Sequence, residues 1–294
     1  LFDPHPPFDP PQNFLDRYDP QTLSPPAWAE SDVAAQAFMA DIPFQSPHLD
    51  VFGPTPDRNG AGVPANRPAQ VAAKPPESFD ARAVKAAYYA MIENLDMRLG
   101  EILDHLDRTG QAEDTLVVFG SDHGEMLGDH GLIYKGCRFY DGLVRVPLVF
   151  ALPGRMRAGV VSQALVELVD IAPTLLDAAG IAVLPAMQGR SLWAKMGGDG
   201  DPDRHKDMVI SEFNDSQSGF RPEHGVMVFD GRWKSCFYES AGLMEVYDQQ
   251  SDPHEFHNLV QHGITPGLKA DILDRHLRKW LSTSDAGPVR TGTS

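Results

Sequence analysis

Cysteine is almost missing from this chain of 294 residues, where Cys137 and Cys236 are the only two. They lie far apart and outside any CxxC spacing, which excludes a disulfide framework and a zinc ribbon. Such sparing use is compatible with a reducing compartment, and a cytoplasmic location is favoured over a periplasmic one. Basic residues are also scarce, 25 Lys plus Arg against 41 Asp plus Glu, for a formal net charge of -16. No basic run is dense enough to follow a phosphate backbone, which argues against nucleic acid as a partner. An anionic substrate would meet a repelling overall field, so a bound metal and a few placed cations would have to reverse that field locally. Long apolar runs are lacking as well: none approaches the ~18 to 20 residues of a membrane span, and a membrane partner is not expected. No charged segment leads into an apolar one as in a leader peptide, and no repeat of solenoid length is found.

What the chain does have falls into three textures. Residues 1–79 are rich in proline and poor in periodicity, which predicts surface loop with one short helix near Asp32 to Met39. Loops of this length are uncommon unless they serve a site. Residues 80–204 open with Val84, Tyr88, Ile92, Leu95, Leu99, Ile102 and Leu106 at steps of three and four, the pattern of a long amphipathic helix closed by Gly110. "TLVVFG" and "VPLVFAL" then read as short buried strands, and "VDIAPTLLDAAGI" as a helix with Asp170 at its N-cap. Helix, strand, loop, strand, helix predicts α/β layering around a mainly parallel central sheet. Residues 205–294 carry four strand-like runs, with Asp230-Gly231 as a hairpin signal, and end in "TPGLKADILDRHLRKWL". That ending places Leu268, Ile272, Leu273, His276, Leu277 and Trp280 on one helical face, so a small antiparallel sheet packed with a terminal helix is expected.

The chemistry concentrates in "SDHGEMLGDHGLIYKG", residues 121–136, directly after the first strand-like run. Ligands bind at the carboxyl ends of parallel strands in open α/β sheets, which makes Ser121, Asp122 and His123 candidates by position. Asp122 offers a hard oxygen ligand and His123 a nitrogen, with glycines on both sides to let the backbone turn beside an ion. The plainer alternative is that Asp122 caps a turn and His123 lies on the surface. Lys135, thirteen residues after Asp122 across a loop punctuated by glycine, can return as a point charge for an oxyanion or remain a surface lysine. His130 has three readings: a ligand at the rim, a donor behind the ligands, or a side chain that fixes the loop. His48, His105, His254 and His257 sit in loop or exposed helix contexts that suit solvated side chains. Trp28, Phe38, Phe44 and Phe52 either line a pocket for an apolar leaving group or fill the core of their own loop.

"TLVVFGSDHGEMLGDHGLIYKG", followed by "FYDGLVRVPLVFALPG" and "VELVDIAPTLLDAAGI", resembles the sulfatase family of the alkaline-phosphatase-like superfamily, including its arylsulfatase and phosphonate monoester hydrolase branches. "LFDPHPPFDPP" is similar to the family's histidine-bearing segment, and "MEVYDQQSDPHEFHNL" to its C-terminal strand block. The likeness implies an alkaline-phosphatase-like sandwich and a metal-dependent hydrolase of small-molecule sulfate esters, or of phosphate and phosphonate esters in some branches. It implies that Asp122 and His123 are metal ligands and that Lys135 holds the sulfate or phosphoryl oxygens. His5 would contact the ester oxygen, where it could protonate a departing alkoxide. Calcium is the expected divalent ion; because His123 supplies nitrogen, manganese is the alternative. A homo-oligomer is possible on this scaffold.

The chain departs from the family in one respect that matters for chemistry. Neither Cys137, in "KGCRFY", nor Cys236, in "KSCFYE", is followed by the Pro and Arg of the Cys-x-Pro-x-Arg motif that yields a formylglycine nucleophile. The first metal carboxylates of the family are not found either. The chain therefore reads as the C-terminal half to two-thirds of a sulfatase, with formylglycine expected upstream and little or no turnover from the chain alone. The competing readings are a phosphodiesterase or phosphonate monoester hydrolase on the same scaffold, and a non-catalytic relative kept as a binding module.

Overall fold

A computed structural model describes residues 3–39, 79–214, 223–239 and 243–284. Phe44, Phe52 and His48 lie outside the described residues. The chain divides into two compact units, one of residues 1–115, 123–148 and 217–222 and the other of 116–122, 149–216 and 223–294. The expected segment 80–204 contributes to both.

The first unit holds α1 (Gln12–Leu15), α2 (Ser31–Ala35), α3 (Ala81–Arg108) and α4 (Asp141–Val144). A 3-10 turn over Ala37–Met39 continues α2, where one short helix was expected. Helix α3 starts where Asp80 accepts hydrogen bonds from the N–H groups of Arg82 and Ala83, and it stops at Thr109 before Gly110 at φ 69°. Its first turns bury Ala81, Val84, Ala87 and Met91 against Phe8, Phe79, Ile133 and Tyr134. The predicted stripe does not stay covered: Ile92 is 43% and Ile102 51% exposed. Among the described residues the core that the helix packs on ends near its middle, and helical spacing cannot say how far a partner surface extends.

The second unit holds β1 (Val117–Gly120) and β2 (Leu148–Ala151, whose first residue belongs to the other unit), paired as a two-stranded sheet, with α5 (Ile171–Ala178) and α6 (Trp193–Gly197). The two strands are not the fully buried runs predicted, since Phe119 is 40% and Val149 54% exposed. Along β2 burial alternates, as it does when one face of a sheet is covered. Asp170 stands at the N-cap of α5 but makes no side-chain cap to it. Its carboxylate instead accepts from the N–H groups of Glu167 and Arg190 and pairs with Lys206 Nζ at 2.7 Å, so it ties three stretches of chain together.

The same unit carries β3 (Val209–Asn214), β4 (His224–Phe229), β5 (Trp233–Tyr238) and β6 (Leu243–Asp248) as a four-stranded antiparallel sheet in sequential order. The Asp230-Gly231 turn joins β4 to β5, with Gly231 at φ 91°. After α7 (Leu259–His262), the terminal helix α8 (Pro266–Ser284) lays Ile272, Leu268 and Leu273 against Met244 and Val246. His276 lies on the buried face as expected, whereas Leu277 is 38% exposed and Trp280 Nε1 donates to Glu212 at 2.8 Å.

Candidate active site

Residues 123–136 form a folded-back loop in the first unit. Leu127 N–H donates to Ile133 O and Gly128 N–H to Leu132 O, so the two arms pair like a short hairpin. Gly128 sits at φ 105°, and a Cβ there would lie 2.6 Å from the Ala81 Cβ, so glycine is required on both counts. Gly124 donates its N–H to Leu143 O at 2.8 Å, and a Cβ on it would fall 1.9 Å from Gly142 O. The backbone after His123 is therefore pressed against the start of α4.

His130 is held at the tip. Its ring stacks on Tyr140 with centroids 3.8 Å apart, and its Nδ1 lies 2.9 Å from Asp32 Oδ1. Its N–H donates to Ala27 O, its carbonyl accepts from Gln36 Nε2, and Asp129 accepts from Ala27 N–H. Of the three readings of His130, this placement is that of the side chain fixing the loop. Asp32, Gln36 and Tyr140 were not recognised from the sequence; they are remote along the chain and carry no local motif.

Lys135 comes back on the return arm. Its Nζ is 3.4 Å from Glu125 Oε2, with side chains 25% and 4% exposed respectively. Burial pushes the Glu125 carboxyl up to about 7, with the Lys135 charge and hydrogen bond pulling the other way. Tyr88, on α3, is pushed up to about 12, by burial first and then by the Glu125 charge. Glu125 was missed in the sequence, although its place ten residues before Lys135 across a glycine-rich turn was a usable signal.

The histidine-bearing segment joins this core through Phe8. The Phe8 ring is fully buried, stacked on Tyr134 at 6.3 Å and edge-on to Tyr88 at 5.9 Å. His5 itself is exposed, with Nδ1 2.7 Å from Pro6 O. The segments bearing His5 and Lys135 thus share one apolar cluster. Trp28 packs on that cluster too, and the Arg138 guanidinium lies 4.9 Å from the centroid of the Phe38 ring.

Asp122 and His123 are neighbours in sequence, and both are exposed. His123 Nδ1 lies 2.9 Å from Gly124 O. One oxygen and one nitrogen donor fit two positions of a divalent-ion shell and do not complete one. Among the described residues no group of three or more His, Cys, Asp or Glu is arranged to hold a metal ion. No helix among them is long and apolar enough to cross a membrane.

A second cluster has the residue types of a nucleophilic triad. Ser235 Oγ is 2.6 Å from His276 Nδ1, and His276 Nε2 is 3.3 Å from Asp230 Oδ2. Ser235 and His276 are wholly buried, and Asp230 is further engaged by Arg275 at 2.5 Å and by the N–H groups of Arg232 and Trp233. Burial raises the Asp230 carboxyl, but the bonds from His276, Arg275 and the backbone outweigh it and hold it well below the carboxylate range. This cluster pins α8 to the β4–β5 turn, with the serine and histidine out of contact with solvent.

The sulfatase family model matches residues 3–181, and the model of the N-sulphoglucosamine sulphohydrolase C-terminal region matches 128–281. The chain is 29% identical over 293 residues to the multifunctional alkaline phosphatase superfamily protein PehA of Trinickia caryophylli, covering 96% of this chain and 54% of that protein. It is 35% identical over 194 residues to the choline-sulfatase of Rhizobium meliloti, covering 65% of this chain and 36% of that enzyme. Among solved structures, the phosphonate monoester hydrolase SpPMH of Silicibacter pomeroyi superposes with a TM-score of 0.73 at 27% identity, over 98% of this chain and 55% of that one. The α/β class and the small antiparallel C-terminal sheet agree with that likeness. The chain spans about half the length of the curated relatives it matches, or less.

Proposed function

The chain belongs to the sulfatase family, and on that premise we propose that the protein containing it hydrolyses sulfate esters, with the 121–136 loop as one side of its active site. The observation that carries this reading is the loop itself. Its backbone is fixed at Gly124, along its paired arms and at its tip, yet it leaves Asp122 and His123 exposed and returns Lys135 with a quarter of its side chain accessible.

Each residue has a role that its chemistry allows. Lys135 holds the anionic oxygens of the ester as a point charge, in a chain whose net charge of -16 otherwise repels them. His5, exposed and within proton-transfer reach of solvent, protonates the departing alkoxide. His130 serves substrate binding by holding the loop that presents Lys135. A divalent ion, calcium first and manganese second, would take Asp122 and His123 as two of its ligands and add positive charge beside the ester. The remaining ligands and the formylglycine nucleophile are expected outside this chain. Both cysteines are buried, and neither precedes the Pro and Arg of the modification motif.

A second reading, phosphonate monoester or phosphodiester hydrolysis, is favoured by one observation. The likeness to the phosphonate monoester hydrolase SpPMH runs over 98% of the chain, against 87% for the arylsulfatase of Clostridium perfringens and 65% for the choline-sulfatase. The test is to express the natural reading frame that contains this chain with a formylglycine-generating enzyme. Turnover of p-nitrophenyl sulfate is then compared with phosphate and phosphonate esters, in the parent and in Lys135→Ala and Asp122→Ala. Sulfate turnover lost in both variants supports the reading. Phosphonate turnover above sulfate turnover selects the second reading, and no hydrolysis of any ester rejects both.

A further inference from the structure

We propose that Glu125 is the positioning residue for Lys135, fixing the ammonium where the ester anion is held. The inference rests on the reading of Lys135 as the anion-holding group and adds a residue to it. The pairing of the loop supplies the geometry. Leu127 faces Ile133 and Gly128 faces Leu132 across the fold-back, so the same register sets Glu125 opposite Lys135. The contact is made, Nζ to Oε2 at 3.4 Å. The backbone on both sides of Glu125 is held: the Gly124–Gly142 approach admits no Cβ, the Gly124 N–H is bonded to Leu143 O, and the next residue, Met126, is 1% exposed.

A purely structural pairing would not choose this residue. A carboxylate taken out of water is costly unless both oxygens are matched. Here Oε2 faces Lys135 while Oε1 is buried with no hydrogen-bond partner among the described residues. A glutamine or an apolar side chain would fill the same space with less penalty. What the carboxylate adds is a directional anchor for a long, flexible ammonium side chain, which otherwise loses rotamer freedom each time an anion binds. Held in advance, Lys135 meets the anion with that ordering already done. Because the contact is long and one-sided, it can yield as the substrate oxygens take over the ammonium.

The experiment is competitive trace acetylation of the lysines in the full protein that contains this chain, read by mass spectrometry, with Lys85 as the internal reference. Parent, Glu125→Gln and Glu125→Ala are compared with and without inorganic sulfate, and hydrogen exchange of the Leu127 and Gly128 amides reports the loop pairing. The expected result is that Glu125→Ala speeds Lys135 labelling roughly two- to tenfold, the reach of one charge-assisted hydrogen bond. Glu125→Gln should restore it in part, and amide exchange should stay unchanged in both. Lys135 labelling equal to the parent in both variants overturns the proposal, as does a rise matched by equal loosening of the two amides. If Glu125→Ala fails to fold, the near-isosteric Glu125→Gln decides alone, since it too must speed Lys135 labelling. Failure of sulfate to protect Lys135 in the parent, with the Glu125 effect intact, rejects the anion-holding reading and leaves the positioning role standing.

Discussion

Two clusters in this chain look alike by residue type and differ in every physical respect that bears on function. Ser235, His276 and Asp230 have hydrogen-bond spacings that would suit a nucleophile, a base and its orienting carboxylate. Yet the serine and histidine are wholly buried, and each polar atom spends its bonding capacity on another member of the cluster or on the backbone. The 121–136 loop is instead open to solvent at one end. Its framework is satisfied, with His130 stacked and bonded and Asp129 on Ala27, while Asp122 and His123 stand exposed and Glu125 keeps one buried oxygen unmatched. The contrast teaches that exposure, rather than the list of residue types, separates a candidate site from a buried network.

The comparison can be broken most forcefully in the buried network. His276→Ala removes the link between Ser235 and Asp230 at the heart of the α8 contact and should cost about 3–5 kcal/mol in urea unfolding. Protection of Lys135 by sulfate should stay as in the parent. A smaller loss is expected at the framework of the loop: Gly124→Ala forces a shift against Gly142 O and should lower stability by about 1–3 kcal/mol, with Lys135 labelling raised in step. The smallest effect is a slope. Because the Asp230 pKa is lowered in the folded state, the stability it contributes is complete above the ordinary carboxylate range. It drains away as pH falls through that range toward the folded value. Asp230→Asn should therefore be less stable at neutral pH and show a flatter acid limb in unfolding followed by circular dichroism. An acid limb as steep as the parent's would count against the network as described.

The fold was legible where local rules are strong. Asp80 and Gly110 bound α3, Asp230-Gly231 marked a real turn between antiparallel strands, and Ile272 with His276 identified the buried face of α8. It was less legible where burial depends on what packs from elsewhere. Ile102, Phe119 and Val149 fit apolar patterns and are exposed, because periodicity reports which residues share a face and not whether that face is covered. At the candidate site, the residues proposed to carry chemistry lie in one motif, so Asp122, His123 and Lys135 could be proposed together from the sequence. Their supports could not: Asp32 and Tyr140 reach His130 from remote stretches, and the role of Asp170 as a tie between segments rather than a helix cap shows only in three dimensions. Phe8 likewise announces nothing in sequence, though it seats the His5 segment on Tyr134.

The central claim is that chemistry belongs to the loop and not to the buried triad-like network. The direct test is kcat/KM for p-nitrophenyl sulfate in the full protein, in Lys135→Ala and Ser235→Ala, at a temperature where both are folded. The account predicts a fall of about 10²–10³ for Lys135→Ala, the scale of one lost transition-state charge contact, and a value within about twofold of the parent for Ser235→Ala. Loss of turnover in Ser235→Ala with Lys135→Ala unaffected would contradict it.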